Sequence, residues 1–98
     1  MSTTIKVYEL LRKIRNETGY FSSPSQILRN ENTIKLIGFG PKAIPFIIQH
    51  YKENRGLEHA LILGVIVGPH HCPKINPKYA GMVDKIQEMW IKWYEERK

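Results

Sequence analysis

The apolar positions of "TIKVYELLRKIRNE", residues 4–17, recur at Val7, Leu11 and Ile14, the i, i+4, i+7 spacing of one helical face. Ile5, Tyr8 and Leu10 widen that stripe, while Lys6, Glu9, Lys13 and Asn16 take the other side. Gly19 follows as a natural stop. In "FSSPSQIL" a helix start is written in side chains. Ser23 can cap free N–H groups, Pro24 suits the first helical position, and Gln26 stands three residues on, as a capping box requires. A short helix over 24–30 is predicted. A second, over 31–38 ("ENTIKLIG"), would turn Ile34 and Ile37 inward.

"GPKAIPFIIQHYKENRG" predicts a helix over about 41–54, with Ile44, Ile47, Ile48 and Tyr51 on its apolar face. Pro45 falls at the end of the first turn, where little bonding is lost. "LEHALILGVIVG" predicts a helix over about 57–67, apolar on nearly every side and therefore the central buried one. A close approach by a neighbouring helix would account for Gly64 inside it. A β-strand is the rival reading of "LILGVIV", but the chain offers no second convincing strand to satisfy its backbone. Three prolines in 69–78 make a loop, and the last helix covers about 79–96, with Met82, Ile86, Met89, Trp90 and Trp93 on one face. The pattern as a whole is all-α, about five helices in a single domain over 1–98.

Certain blocks resemble a family of small uncharacterised bacterial helical proteins. They run "ETGYFSS", "IKLIGFGPKAIPFIIQHYKE", "HALILGVIVG", a Pro-rich loop and "GMVDKIQEMWIKWYEE". Gly38-Phe39-Gly40-Pro41-x-Ala43-x-Pro45 and Trp90-x-x-Trp93 carry most of the likeness. This chain has His59 where that family has Trp, Val67 for Thr in its "ITG", and Tyr94 for a usual Gly. The resemblance implies a helical scaffold and brings no activity with it. The 41–54 block is also similar to a helix of HEAT-type hairpins. That likeness implies irregular HEAT-like hairpins packed around 57–67.

Composition narrows the function. The apolar content of 42% and ten aromatic residues in 98 argue for a packed core. A single cysteine excludes an intrachain disulfide and suits a reducing compartment. The opening "MSTTIKVYELL" lacks the pattern of a signal peptide, and the longest apolar run, about seven residues, is too short to span a membrane. A cytoplasmic protein is expected. The net charge of +6 is concentrated in residues 1–56, where nine Lys/Arg face four Asp/Glu. Such a half attracts nucleic acid or an acidic protein surface.

Four candidate sites follow. Trp90, Trp93 and Tyr94 combine core spacing with the chemistry of a partner-binding surface. Lys6, Arg12, Lys13, Arg15, Arg29, Lys35 and Lys42, interleaved with Tyr8, Tyr20 and Phe21, would suit single-stranded nucleic acid if they shared a face. His70, His71 and Cys72 are weak metal or thiol-enzyme candidates, with His50 and His59 also available. No second cysteine supplies a zinc-ligand spacing, and nothing shows that Cys72 meets an imidazole. Gly38-Phe39-Gly40-Pro41-Lys42 precedes a helix but matches neither phosphate-loop pattern and reads as a tight turn. The expectation is a non-enzymatic interaction or adaptor module, an accessory or neutralising subunit of a bacterial complex, with no cofactor. Its partner is a protein, a second copy of the chain being one candidate. Nucleic-acid binding is the alternative, and a metal or thiol enzyme the third reading.

Overall fold

A computed structural model describes residues 3–19, 23–54, 56–74, 77–79 and 81–97. Among them the fold is all-α. Six helices follow one another: α1 (Thr3–Thr18), α2 (Pro24–Arg29), α3 (Glu31–Gly38), α4 (Ile44–Glu53), α5 (Glu58–Val67) and α6 (Val83–Glu96). Two 3₁₀ turns, Gly40–Ala43 and Pro77–Tyr79, lead into α4 and towards α6. The described residues contain no strand.

The start of α2 carries the capping box read from the sequence. Ser23 Oγ accepts from the Gln26 N–H at 3.3 Å, and Gln26 Oε1 accepts from the Ser23 N–H at 3.0 Å. Asn30 ends α2 and caps α3 through its side chain. The Glu17 carboxylate accepts from both Asn30 and Asn32 side-chain amides, so the end of α1 is tied to the α2–α3 corner. Residues Tyr20 and Phe21 of the expected basic–aromatic surface lie outside the described residues.

α1 buries Val7, Leu11 and Ile14, the three positions its spacing selects. It packs on α3, α4 and α5, and α6 closes against α4 and α5. Tyr51, Ile47 and Ile48 of α4 complete the middle of the core with Ile62 and Leu63 of α5. α6 adds Ile86 and Trp90, and its Gln87 amide donates to the Tyr51 carbonyl at the end of α4. Lys52 and Glu95 pair across the same two helices at 2.9 Å.

Four expectations are corrected. The 41–54 segment opens as a 3₁₀ turn, so Pro45 sits in the first turn of α4 rather than at its end. The last helix begins at Val83, leaving Met82 exposed before it. In α3 it is Leu36 and Thr33 that turn inward, while Ile34 is 60% exposed, because α1 and α5 lie on that other face. Finally, α5 is central, packed against α1, α2, α3, α4 and α6, but it is not covered on every side, and Gly64 has no close neighbour. His59, Ile62 and Leu63 face the core, Val65 is 49% exposed, and no atom outside its own helix backbone comes within 4 Å of a Cβ built on Gly64. α5 stops at Gly68, whose φ of 87° disfavours any residue with a side chain.

The α3 register makes a direct prediction. Leu36→Ala should cost roughly 2–5 kcal/mol of stability, the range for an emptied core leucine. Ile34→Ala should cost less than about 0.5 kcal/mol, as at an exposed site. Urea unfolding of the two variants beside the parent checks this.

Candidate functional site

The first two residues of α5 are a glutamate and a histidine, and both are buried. Helical periodicity explains the histidine. His59 precedes Ile62 and Leu63 by three and four residues, so it shares their inward face. Its ring stacks flat on Tyr51, with centroids 4.6 Å apart and planes at 5°, and lies over His50 at 5.1 Å. Glu58, 5% exposed, turns instead towards α1. There Arg15, one residue beyond the buried Ile14, donates to Glu58 Oε1 from Nε at 3.0 Å and from its terminal nitrogen at 2.6 Å. The close approach falls at Gly56. A Cβ there would lie 2.6 Å from both Glu58 carboxylate oxygens and would run into the Arg15 guanidinium. Any side chain at 56 must displace the ion pair.

Behind this pair the protons can be placed by electrostatics. His59 Nε2 and His50 Nδ1 are 2.8 Å apart and share one hydrogen. Among the described residues His59 Nδ1 has no hydrogen-bond partner, but it lies 3.9 Å from Glu58 Oε1. A bare nitrogen lone pair facing the carboxylate is repelled, whereas an N–H is attracted. On this ground we assign the hydrogen to His59 Nδ1, with His59 Nε2 accepting from the His50 Nδ1–H. That leaves His50 Nε2 as an unprotonated acceptor. Burial is the main cause holding His59 neutral, with His50 and Arg15 adding, so that its pKa falls to about 3. Burial also lowers His50, followed by the opposing pull of Glu58 and Glu53, and Arg15 lowers it further. The Tyr51 hydroxyl, buried and without a partner among the described residues, is pushed up by burial and then by Glu58.

The seam Arg15–Glu58–His59–His50 borders a cleft of about 530 Å³ between α1, α4 and the start of α5. Tyr8, Arg12 and Asn16 form its α1 wall, and His50 and Asn54 face them. Tyr8 meets His50 edge-on, with centroids at 4.9 Å.

The residues singled out from the sequence are distributed otherwise. Trp90 is 3% exposed and belongs to the core. Trp93 and Tyr94 keep partly open surface. Trp93 packs edge-on against Trp90, donates Nε1–H to the His71 carbonyl at 3.2 Å, and lies under Arg97 at 4.7 Å. It pins the 68–74 loop to α6. His70 and His71 are exposed, and Cys72 is partly buried with its thiol 3.8 Å from the Pro69 carbonyl. Among the described residues no three His, Cys, Asp or Glu side chains are grouped to hold a metal ion. The basic candidates divide. Arg12 and Arg15 line the cleft, while Lys6 and Lys35 line a shallow groove with Leu10 and Phe39. Lys13 pairs with Glu9 at 3.1 Å and Lys35 with Glu31 at 3.4 Å. Arg29 and Lys42 are exposed on α2 and on the turn before α4.

Sequence reasoning missed the Arg15–Glu58 pair and the His50–His59 bond. The available signal was "EH" opening a helix otherwise free of polar side chains, since such residues must be answered from elsewhere. No protein-family model, curated protein or solved structure matches the chain.

The seam predicts an acid limb. His59 stays neutral when folded but takes a proton near pH 6.5 when unfolded. Its contribution is complete above that pH and is lost as pH falls towards about 3. The slope for one proton is ~1.4 kcal/mol per pH unit. Chemical denaturation at stepped pH should show it, and His59→Phe should flatten it.

Proposed function

We propose that this chain is a non-enzymatic interaction module that docks a protein partner on the outward face of α5. The observation that carries the reading is a second apolar stripe. From Ala60 to Val67 every residue of α5 is apolar or glycine, yet only Ile62 and Leu63 of that run are buried. Leu57, Leu61, Gly64 and Val65, at i, i+4, i+7 and i+8, form the other side: Leu57 and Leu61 rest against the core with one flank and keep the other open, and Val65 is exposed. A helix apolar all round is normally covered all round. Covering the open parts of Leu57, Leu61 and Val65 contributes on the order of a few kcal/mol. The bare backbone at Gly64 lets a partner's helix approach closely.

The net charge of +6 favours a partner whose contact is flanked by carboxylates, because complementary charge speeds encounter and screens out wrong partners. Trp93 and Tyr94 supply further partly open aromatic surface on α6 for the same use. The reading places the protein in the cytoplasm, in keeping with its single cysteine. It takes the helices as irregular HEAT-like hairpins, scaffolds whose role is contact rather than chemistry.

The test is affinity capture from the producing cells, with nuclease treatment, using the parent, Val65→Asp and Ile34→Asp. Both substitutions fall at exposed positions. The expected result is one stoichiometric acidic protein, retained after nuclease, held by the parent and Ile34→Asp and lost with Val65→Asp. Equal capture by Val65→Asp, or recovery of nucleic acid alone, would overturn the proposal. Sedimentation of the purified protein distinguishes a second copy of the chain as the occupant.

A further inference from the structure

The cleft between α1, α4 and the start of α5 holds more chemistry than packing requires. Its volume of about 530 Å³ is in the range of small-molecule sites. Two arginines line it and differ in state. Arg15 is committed to Glu58 by two hydrogen bonds. Arg12 is exposed and has no carboxylate partner among the described residues. Glu9 also lines the cleft, but Lys13 answers it at 3.1 Å. Glu53 acts on Tyr8 and His50 from α4, so the cleft as a whole carries no surplus charge, and the Arg12 fork alone offers an anion a direct partner. Facing it from α4 is His50, whose Nδ1 is occupied by His59. Among the described residues its Nε2 meets only the Asn54 side-chain amide, at 3.5 Å, a long contact that a ligand hydroxyl would replace. The exposed Ile5 and the Tyr8 ring supply apolar wall.

We propose that this cleft binds a small hydroxy-monocarboxylate with an apolar body. The carboxylate pairs with the planar fork of Arg12, which matches it in a bidentate way. The hydroxyl donates to His50 Nε2, and the body lies along Ile5 and Tyr8. A phosphate dianion suits the cleft less. It would bring two negative charges to one available guanidinium, with Glu9 and Glu58 in the lining and Glu53 acting on Tyr8 and His50. This site does not depend on docking at the outward face of α5.

Phenyllactate is the probe, titrated into the ¹⁵N-labelled full chain, with its methyl ester and inorganic phosphate as comparisons. The expected result is saturable shifts at Arg12, Tyr8 and the His50 ring, with a Kd of about 1 mM or tighter. Arg12→Gln and the methyl ester should each weaken binding by about tenfold or more, the loss of one charge-assisted contact. Arg12 is exposed, so this variant keeps its fold, which its own amide spectrum verifies. Absence of saturable shifts, or equal binding by Arg12→Gln or by the ester, would overturn the proposal. Phosphate competing as well as phenyllactate would overturn the carboxylate class.

Discussion

The ion pair between Arg15 and Glu58 joins two positions 43 residues apart and fixes how α5 lies against α1. The Glu58 side chain is 7% exposed and that of Arg15 31%, so the carboxylate has given up most of its water. Such a pair is not strong merely because it is buried; the desolvation of two charges offsets much of their attraction. Its force lies in what happens when one partner is missing, because a lone buried carboxylate is severely penalised. The pair therefore acts as a constraint on register. With Glu58 turned to α1, His59 must enter the core beside Tyr51 and reach His50.

The same rotation determines what α5 leaves outside. Ile62 and Leu63 go inward with His59, Leu61 and Gly64 are left half-covered, and Val65 goes outward. The polar seam and the open apolar stripe are two consequences of one helix orientation. The cleft is a third. Arg15 is held back against Glu58 at its edge, and Arg12, one turn earlier on α1, is left to face solvent. α6 and the loop before it take little part in this; Trp93 and His71 fasten them to each other.

Much of the helical content was legible because it is local. The spacing of Val7, Leu11 and Ile14 and the Ser23–Gln26 capping box are short-range signals, and both appear in the structure. The errors arose where a choice depended on neighbours distant in sequence. Ile34 and Leu36 are equally apolar, and only the positions of α1 and α5 decide which is covered. For α5 the composition spoke for burial on all sides, and periodicity could not rank its two faces because both are apolar. The glycine that matters for close approach is Gly56, next to the ion pair, and not Gly64. The site itself was hardest to read. His50 and His59 were visible as residues, but their meeting, and that of Arg15 with Glu58, exists only once three helices have packed.

The central claim is that Arg15 and Glu58 act as one unit. A double-mutant cycle measures this directly, using Arg15→Met, Glu58→Leu and the combination, each unfolded in urea near neutral pH. Arg15→Met should cost about 3 kcal/mol, since it strands the carboxylate, and the double variant should recover part of that loss. The coupling between the two sites should exceed about 1 kcal/mol. Losses that simply add would contradict the account, and α5 would then be held in place by its apolar contacts alone.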